Sequence, residues 1–220
     1  MIRSVTLIRF KEGTDAAARE AVRQAYLALP AHIPQLRSIQ PGLDLGLLDD
    51  TADLAVVAEF ATREDFLAYS KHPAQAQIIL PVCGPVLAGW QTLQHEVIDE
   101  AFMRAYYAAY NSEDPERLRA FYHPEVELHS ASGVMRGPEA ILQTYAWITA
   151  RFEDRMSAES IELRGATAVV QIRDIFRAKE EVPEFLGMHF APGQELALQL
   201  RGTYELQDGA LRKITIEAAG

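Results

Sequence analysis

The chain has 220 residues, 49% of them hydrophobic and 24% charged, with a formal net charge of −10. Those proportions suit a globular protein of one large or two compact domains, and the acidity excludes nucleic acid and anionic membrane surfaces, which require clustered Lys and Arg. No apolar run reaches the ~18 residues needed to cross a bilayer. The alternating pattern begins at Ile2 and leaves no room for a cleavable leader, so a cytoplasmic placement is expected. The single cysteine, Cys83, lies in an apolar stretch without a nearby cation and reads as a buried structural thiol.

Ile2 to Phe10 is rich in β-branched and apolar residues and predicts a strand. Thr14 is placed to cap a helix with Val22, Ala25, Tyr26 and Leu29 at helical spacing, stopped by Pro30 and Pro34. A second strand region, Leu36 to Leu47, is loosened by Pro41, Gly42 and Gly46, and Leu54 to Phe60 predicts a third. Thr62 to Asp65 has the form of a capping box opening a short helix through Tyr69. His72-Pro73 restarts the chain, a further helical segment ends near Gly84-Pro85, and Trp90 to Val97 predicts a fourth strand. The order β-α-β-β-α-β is a ferredoxin-like layout, with helices on one face of an antiparallel sheet.

Beyond Val97 the texture changes. Ile98 to Tyr110 predicts a helix, with a shorter one to Tyr122 after the break at Asn111 to Pro115. Val126 to Ser130 predicts a strand, and Gly137-Pro138 opens a helix through Phe152. Strands follow at about 157–164, 166–177, 194–207 and 211–217, with Gly165 and Asp208-Gly209 as tight turns. The whole is α+β: a ferredoxin-like domain over 1–97, then an antiparallel sheet curled around helices over 98–220.

The first half resembles the stress-responsive α/β-barrel (Dabb) domain. The resemblance is carried by Val5 to Lys11, Leu29-Pro30 to Ile33-Pro34, Gly42-Leu43-Asp44 and Ala68-Tyr69-Ser70-Lys71-His72-Pro73-Ala74. It implies a homodimer whose sheets pair into a barrel. In a polyketide cyclase of that family a Tyr and a His act on the ligand. Tyr69 matches the Tyr, but Gln75 stands at the catalytic His position and Ser4 at a second pocket His. Gln carries no proton to exchange near neutral pH, so the cyclase mechanism does not transfer. Tyr69 and His72 stand as candidate substrate-binding residues, or as half-buried packing and a turn-fixing histidine.

The second half resembles the SnoaL-like branch of the nuclear transport factor 2 fold, through Ala105 to Asp114, Phe121 to Val126 and Arg136 to Ile141, with Asp208-Gly209 before the last strand. That fold encloses a cone-shaped cavity and includes ketosteroid isomerase, polyketide cyclases and non-catalytic binders. By resemblance Tyr106 falls where the isomerase keeps its oxyanion-stabilising Tyr. Ser130 replaces the general-base Asp and becomes a candidate substrate-binding residue, and Gly202 replaces the acid on the penultimate strand.

Strand parity offers a substitute for the missing acid. Ala168, Val170, Ile172, Asp174 and Phe176 share one face, with Gln171, Arg173 and Arg177 on the other. Asp174 therefore either lines the cavity with a raised pKa, opposite Tyr106, or is paired with a cation such as Arg136, or is turned to solvent by a bulge. Asp174 and Tyr106 are the candidate catalytic residues. No metal or cofactor is expected, since His123 and His129 lack a partner at ligand spacing. Two functions stay open: a cofactor-free polyketide cyclase- or isomerase-like catalyst acting on a small hydrophobic carbonyl compound, or a non-catalytic binding or assembly module.

Overall fold

The computed structural model describes residues 1–219. The chain divides into two compact units, Met1–His95 and Glu96–Gly220, each with its own core.

In the first unit β1 (Ile2–Phe10), β2 (Leu36–Leu43), β3 (Leu54–Phe60) and β4 (Leu87–Glu96) form one sheet in the order β2-β3-β1-β4. β3 runs antiparallel to both neighbours, with Val5 opposite Val57 and Leu7 opposite Ala55. Helices α1 (Ala16–Ala28), α2 (Arg63–Ser70) and the short α3 (Leu80–Cys83) complete it. Alternation sends Ile8, Phe10, Leu54, Val56 and Phe60 into the core with Val22, Leu29 and Ile33. Asp15, not Thr14, caps α1, its carboxylate accepting from the Ala18 amide at 2.8 Å. Thr62 and Asp65 form a reciprocal capping box at α2. β2 stops at Leu43, short of the expected Leu47: the chain turns out at Asp44, whose carboxylate accepts from the Gly46 amide, and Leu45, Leu47 and Leu48 are exposed.

In the second unit α4 (Glu100–Tyr110), α5 (Pro115–Arg119) and α6 (Pro138–Arg151) accompany a sheet of β5 (Tyr122–Ser130), β6 (Gly133–Arg136), β7 (Phe152–Arg164), β8 (Thr167–Ala178), β11 (Glu195–Gln207) and β12 (Ala210–Ala218). The strand order is β6-β5-β12-β11-β8-β7. The sheet is not wholly antiparallel, because β12 returns parallel to β5. A separate hairpin, β9 (Val182–Phe185) and β10 (Met188–Phe190), and the short β6 were not anticipated. Asp208 and Gly209 both have positive φ, as a two-residue primed turn requires, and the β11–β12 hairpin follows from them. β7 begins at Phe152, directly after α6 and well before the expected Ser157. That earlier start brings Asp154 into the sheet.

Candidate functional site

β8 alternates with almost no exception: Ala168, Val170, Ile172, Asp174, Phe176 and Ala178 are buried. No bulge interrupts its pairing with β11, where Leu198 stands opposite Asp174 and Leu200 opposite Ile172. Asp174 therefore keeps the core-facing parity and is 1% exposed. It joins the wall of a cavity of about 390 Å³ together with Tyr106, Leu198, Leu200, Tyr204 and Ser130, within the size range of ligand pockets, roughly 300–1,000 Å³.

Asp174 is not alone. On the neighbouring strand Asp154 is also 1% exposed. Phe176 faces Asp154 and Met156 faces Asp174 in the register, so the two acids are diagonal neighbours on one face. Their carboxyls are close enough for each to perturb the other's titration, and the Tyr110 hydroxyl donates to Asp154 Oδ2 at 2.7 Å. Burial, then the charge of Asp154, pushes the Asp174 carboxyl up to about 9. Burial also raises Asp154, against the bond from Tyr110. Among the described residues no cation forms an ion pair with either carboxyl, although the charge of Arg155 acts on Asp154 from a distance. Arg136 pairs with Glu127, and Arg155 reaches the Asp154 backbone oxygen and Glu113 but neither carboxyl oxygen of the pair.

Tyr106 lines the same cavity, 3% exposed, inside an aromatic cluster with Tyr107, Phe121, Tyr122 and Tyr204. It shares a hydrogen bond with Tyr122, and burial pushes its phenol up to about 12, so it stays a neutral donor at ordinary pH. Its bonded partner is thus Tyr122; the phenol that joins the carboxyl pair is Tyr110, one helical turn on. Tyr107 and Tyr204 join hydroxyls at 2.7 Å. Ser130 lies on the cavity wall at the end of β5.

Sequence reasoning missed Asp154 and Tyr110. The signal for Asp154 was present in the alternation Phe152, Asp154, Met156, but assigning Phe152 to the helix hid it. The β9–β10 hairpin adds Phe185 and Leu186 to the cavity wall, with Phe185 packed on Phe152 and Phe176.

The first unit holds a second cavity, about 310 Å³, between the sheet and its helices. One wall carries Ser4, Thr6, Thr92 and Gln94, linked by Thr6 Oγ1 to Thr92 Oγ1 at 3.0 Å and Gln94 Nε2 to Ser4 Oγ at 3.2 Å. Across it stand Tyr26, Tyr69, Gln75 and Cys83. Tyr69 packs on Phe60 and is hydrogen-bonded to Gln75, while burial raises the hydroxyls of Tyr26 and Tyr69 and the Cys83 thiol. These three groups stay neutral at ordinary pH. His72 is not among the residues lining this cavity. Its Nδ1 accepts from the Ala74 amide at 3.2 Å, fixing the turn before Pro73 and Ala74.

Among the described residues no group of three His, Cys, Asp or Glu could hold a metal ion, and no helix is long and apolar enough to cross a membrane.

The family model of the SnoaL-like domain matches residues 103–214, the whole cavity-bearing sheet apart from the ends. The chain belongs to the SnoaL-like family. The N-terminal half of this SnoaL-like protein is a stress-responsive A/B barrel domain, matched over residues 2–99. Among solved structures, a dimeric ferredoxin-like protein of unknown function from Thermobifida fusca is 35% identical, over 42% of this chain and 87% of its own, with a TM-score of 0.39. TsrD from Streptomyces laurentii is 24% identical, over 55% of this chain and 90% of its own, with a TM-score of 0.46. A protein with a ketosteroid isomerase-like fold from Catenulispora acidiphila is 13% identical, over 56% and 88%, with a TM-score of 0.46. Comparison with the curated proteins finds no match.

Proposed function

We propose that the C-terminal cavity binds a small hydrophobic carbonyl compound of polyketide-like class and supports proton transfer on it, in a chain that works as a homodimer. The observation that carries this reading is a buried, cation-free carboxyl, Asp174, on the wall of an otherwise largely apolar cavity. A carboxyl kept neutral by its surroundings can donate to a carbonyl oxygen at neutral pH, where an ordinary aspartate cannot. Any charge that grows on that oxygen during proton transfer draws more from a donor already in place. Tyr106 would supply a second neutral donor from the same wall.

The alternative, binding without chemistry, fits the N-terminal cavity better. Its wall offers hydroxyls, amides and a thiol, with Gln75 where an acid–base His would be needed.

A thermal-shift screen of hydrophobic ketones and phenols on the full chain tests the reading. A ligand present at 100 times its Kd stabilises the folded state by about 2.7 kcal/mol. Hits should be lost in Ser130→Phe, which fills the C-terminal cavity, and any turnover should vanish in Asp174→Asn. A screen without hits, or hits indifferent to Ser130→Phe, would remove the proposal.

A further inference from the structure

Two buried oxygens in the second unit, Oδ1 of Asp154 and Oδ1 of Asp174, are reached by no donor among the described residues. A buried acceptor without a donor is costly, and two of them in carboxyls that adjoin have a common remedy, one proton held between the acids. The surroundings fix which acid keeps it. Asp154 already accepts from Tyr110 at 2.7 Å, a bond that favours its ionised form. Asp174 has no such side-chain donor, only the backbone amide of Ile175 beside it, and sits among Phe176, Leu198 and the cavity.

We propose that Asp154 and Asp174 hold one proton between them, and that Asp154 is the positioning residue that keeps the cavity-facing Asp174 carboxyl uncharged. The pair then carries one negative charge, set behind a neutral acid. Resting on the proposed function of the same cavity, this narrows the ligand class: the site takes a neutral molecule bearing a hydrogen-bond acceptor and repels a carboxylate of the same shape. Asp154 is absent from the cavity lining, so it acts through Asp174 rather than on a ligand.

The other titratable groups facing the pair are few. Tyr107 and Tyr110 approach from α4 and Tyr145 from α6, each a phenol raised by burial. Glu113, after α4, is held by Arg155 and Lys179, which leaves little net cationic charge for the carboxyls. β11 contributes Leu198 opposite Asp174. The three phenols are raised and Glu113 is lowered, so none of these four changes charge near neutral pH and a titration there reports the pair itself.

The test is a pH titration of the full-length protein with aspartate carboxyls labelled for carbon NMR. In the wild type the Asp174 resonance should stay that of a neutral acid through pH 7, and the two resonances should titrate in linked steps, since strongly interacting acids lose protons as a pair. Asp154→Asn keeps size and the Tyr110 bond but removes the charge, and should lower the Asp174 midpoint by at least about one unit, a tenfold change. Tyr110→Phe, acting on Asp154 alone, should raise the Asp154 midpoint and serves if Asp154→Asn does not fold. An Asp174 carboxyl ionised at pH 6 in the wild type, or a midpoint unmoved by both variants, overturns the pair. A ligand arm uses 2-acetylnaphthalene against 2-naphthoate: the ketone should bind at least about tenfold more tightly at pH 7, and equal binding overturns the selectivity. If neither compound binds, the functional reading of the cavity fails while the titration still decides the shared proton.

Discussion

The ring of Tyr204 lies back over Gly202. A β-carbon at position 202 would stand 2.6 Å from Tyr204 Cε2, 2.8 Å from its hydroxyl oxygen and 2.9 Å from Ile172 Cδ1. Residues 202 and 204 share a face of β11, and only the missing side chain lets the ring tilt into that space. At the position where, by family resemblance, an isomerase keeps its acid, this chain has a phenol from two residues along, bonded to Tyr107.

Gly202→Ala should therefore destabilise the protein by about 1–3 kcal/mol, the usual cost of forcing atoms into a packed core. Urea denaturation measures it. A neutral effect would mean that the Tyr204 ring is free to move aside.

The bond from Tyr107 to Tyr204 predicts a non-additive pair. Tyr107→Phe leaves a buried hydroxyl on Tyr204 without its partner, and Tyr204→Phe does the reverse, each at about 1–3 kcal/mol. The double variant orphans nothing and should cost clearly less than the sum. A double-mutant cycle that adds up linearly would show the two hydroxyls to be independent.

The acid pair makes stability depend on pH with a definite sign. Asp174 rises from an ordinary value of 3.8 to about 9 in the folded chain. Folded protein therefore holds a proton that unfolded protein has released between those values. The stabilisation is complete below about pH 4 and is lost as pH rises towards 9, by up to ~1.4 kcal/mol per unit. Glu59, Glu113, Glu127 and Glu139, all lowered by their ion-pair partners, work in the opposite sense, but only at acid pH. Asp174→Asn should flatten the fall between pH 6 and 8, measured by chemical denaturation at several pH values. Parallel wild-type and variant curves would exclude a protonated Asp174.

How much of this could be read in the sequence depended on whether a local pattern carried it. The face of β8 was legible because nothing interrupts its alternation, and Asp174 was found that way. The primed turn at Asp208-Gly209 and the capping box at Thr62 were legible because their residues satisfy the backbone themselves. Asp154 was not, because an α-helix passes straight into β7 and no Gly or Pro marks the join at Arg151-Phe152. The β9–β10 hairpin was hidden for a related reason: its turn is Leu186-Gly187, and Leu186 holds a left-handed φ of 52° that such a residue rarely adopts. The parallel return of β12 beside β5 is a long-range pairing that no local pattern encodes.

In the N-terminal unit, His72→Ala should remove only the bond from the Ala74 amide, and Tyr69→Phe only the hydroxyl bonded to Gln75. Each should cost about 1 kcal/mol of stability. Tyr69→Phe should also leave binding of any ligand to the N-terminal cavity intact, as isothermal titration would show. Loss of binding in His72→Ala with the fold preserved would return that residue to the site.

The outer face of the N-terminal sheet makes the last prediction. Ser4, Thr6 and Ile8 of β1 and Thr92 and Gln94 of β4 line the inner cavity, so Val5, Leu7 and Leu93 point the other way by alternation. Leu7 is 42% exposed and Leu93 56%. Val57 and Ala55, opposite Val5 and Leu7, continue the apolar strip on β3, and the ion pairs Arg3–Glu59 and Arg9–Asp50 flank it. An apolar strip bounded by charges matches the outline of an interface, with a dry centre and a polar rim. In a two-fold dimer the same strip meets itself, so one substitution acts twice. Leu7→Arg combined with Leu93→Arg places like charges on both sides of the seam and should convert a homodimer to monomers without unfolding either unit. Light scattering of the wild type and the double variant at micromolar concentration decides it. A monomeric wild type would end the dimer proposal, and a double variant that stays dimeric would move the interface to another face.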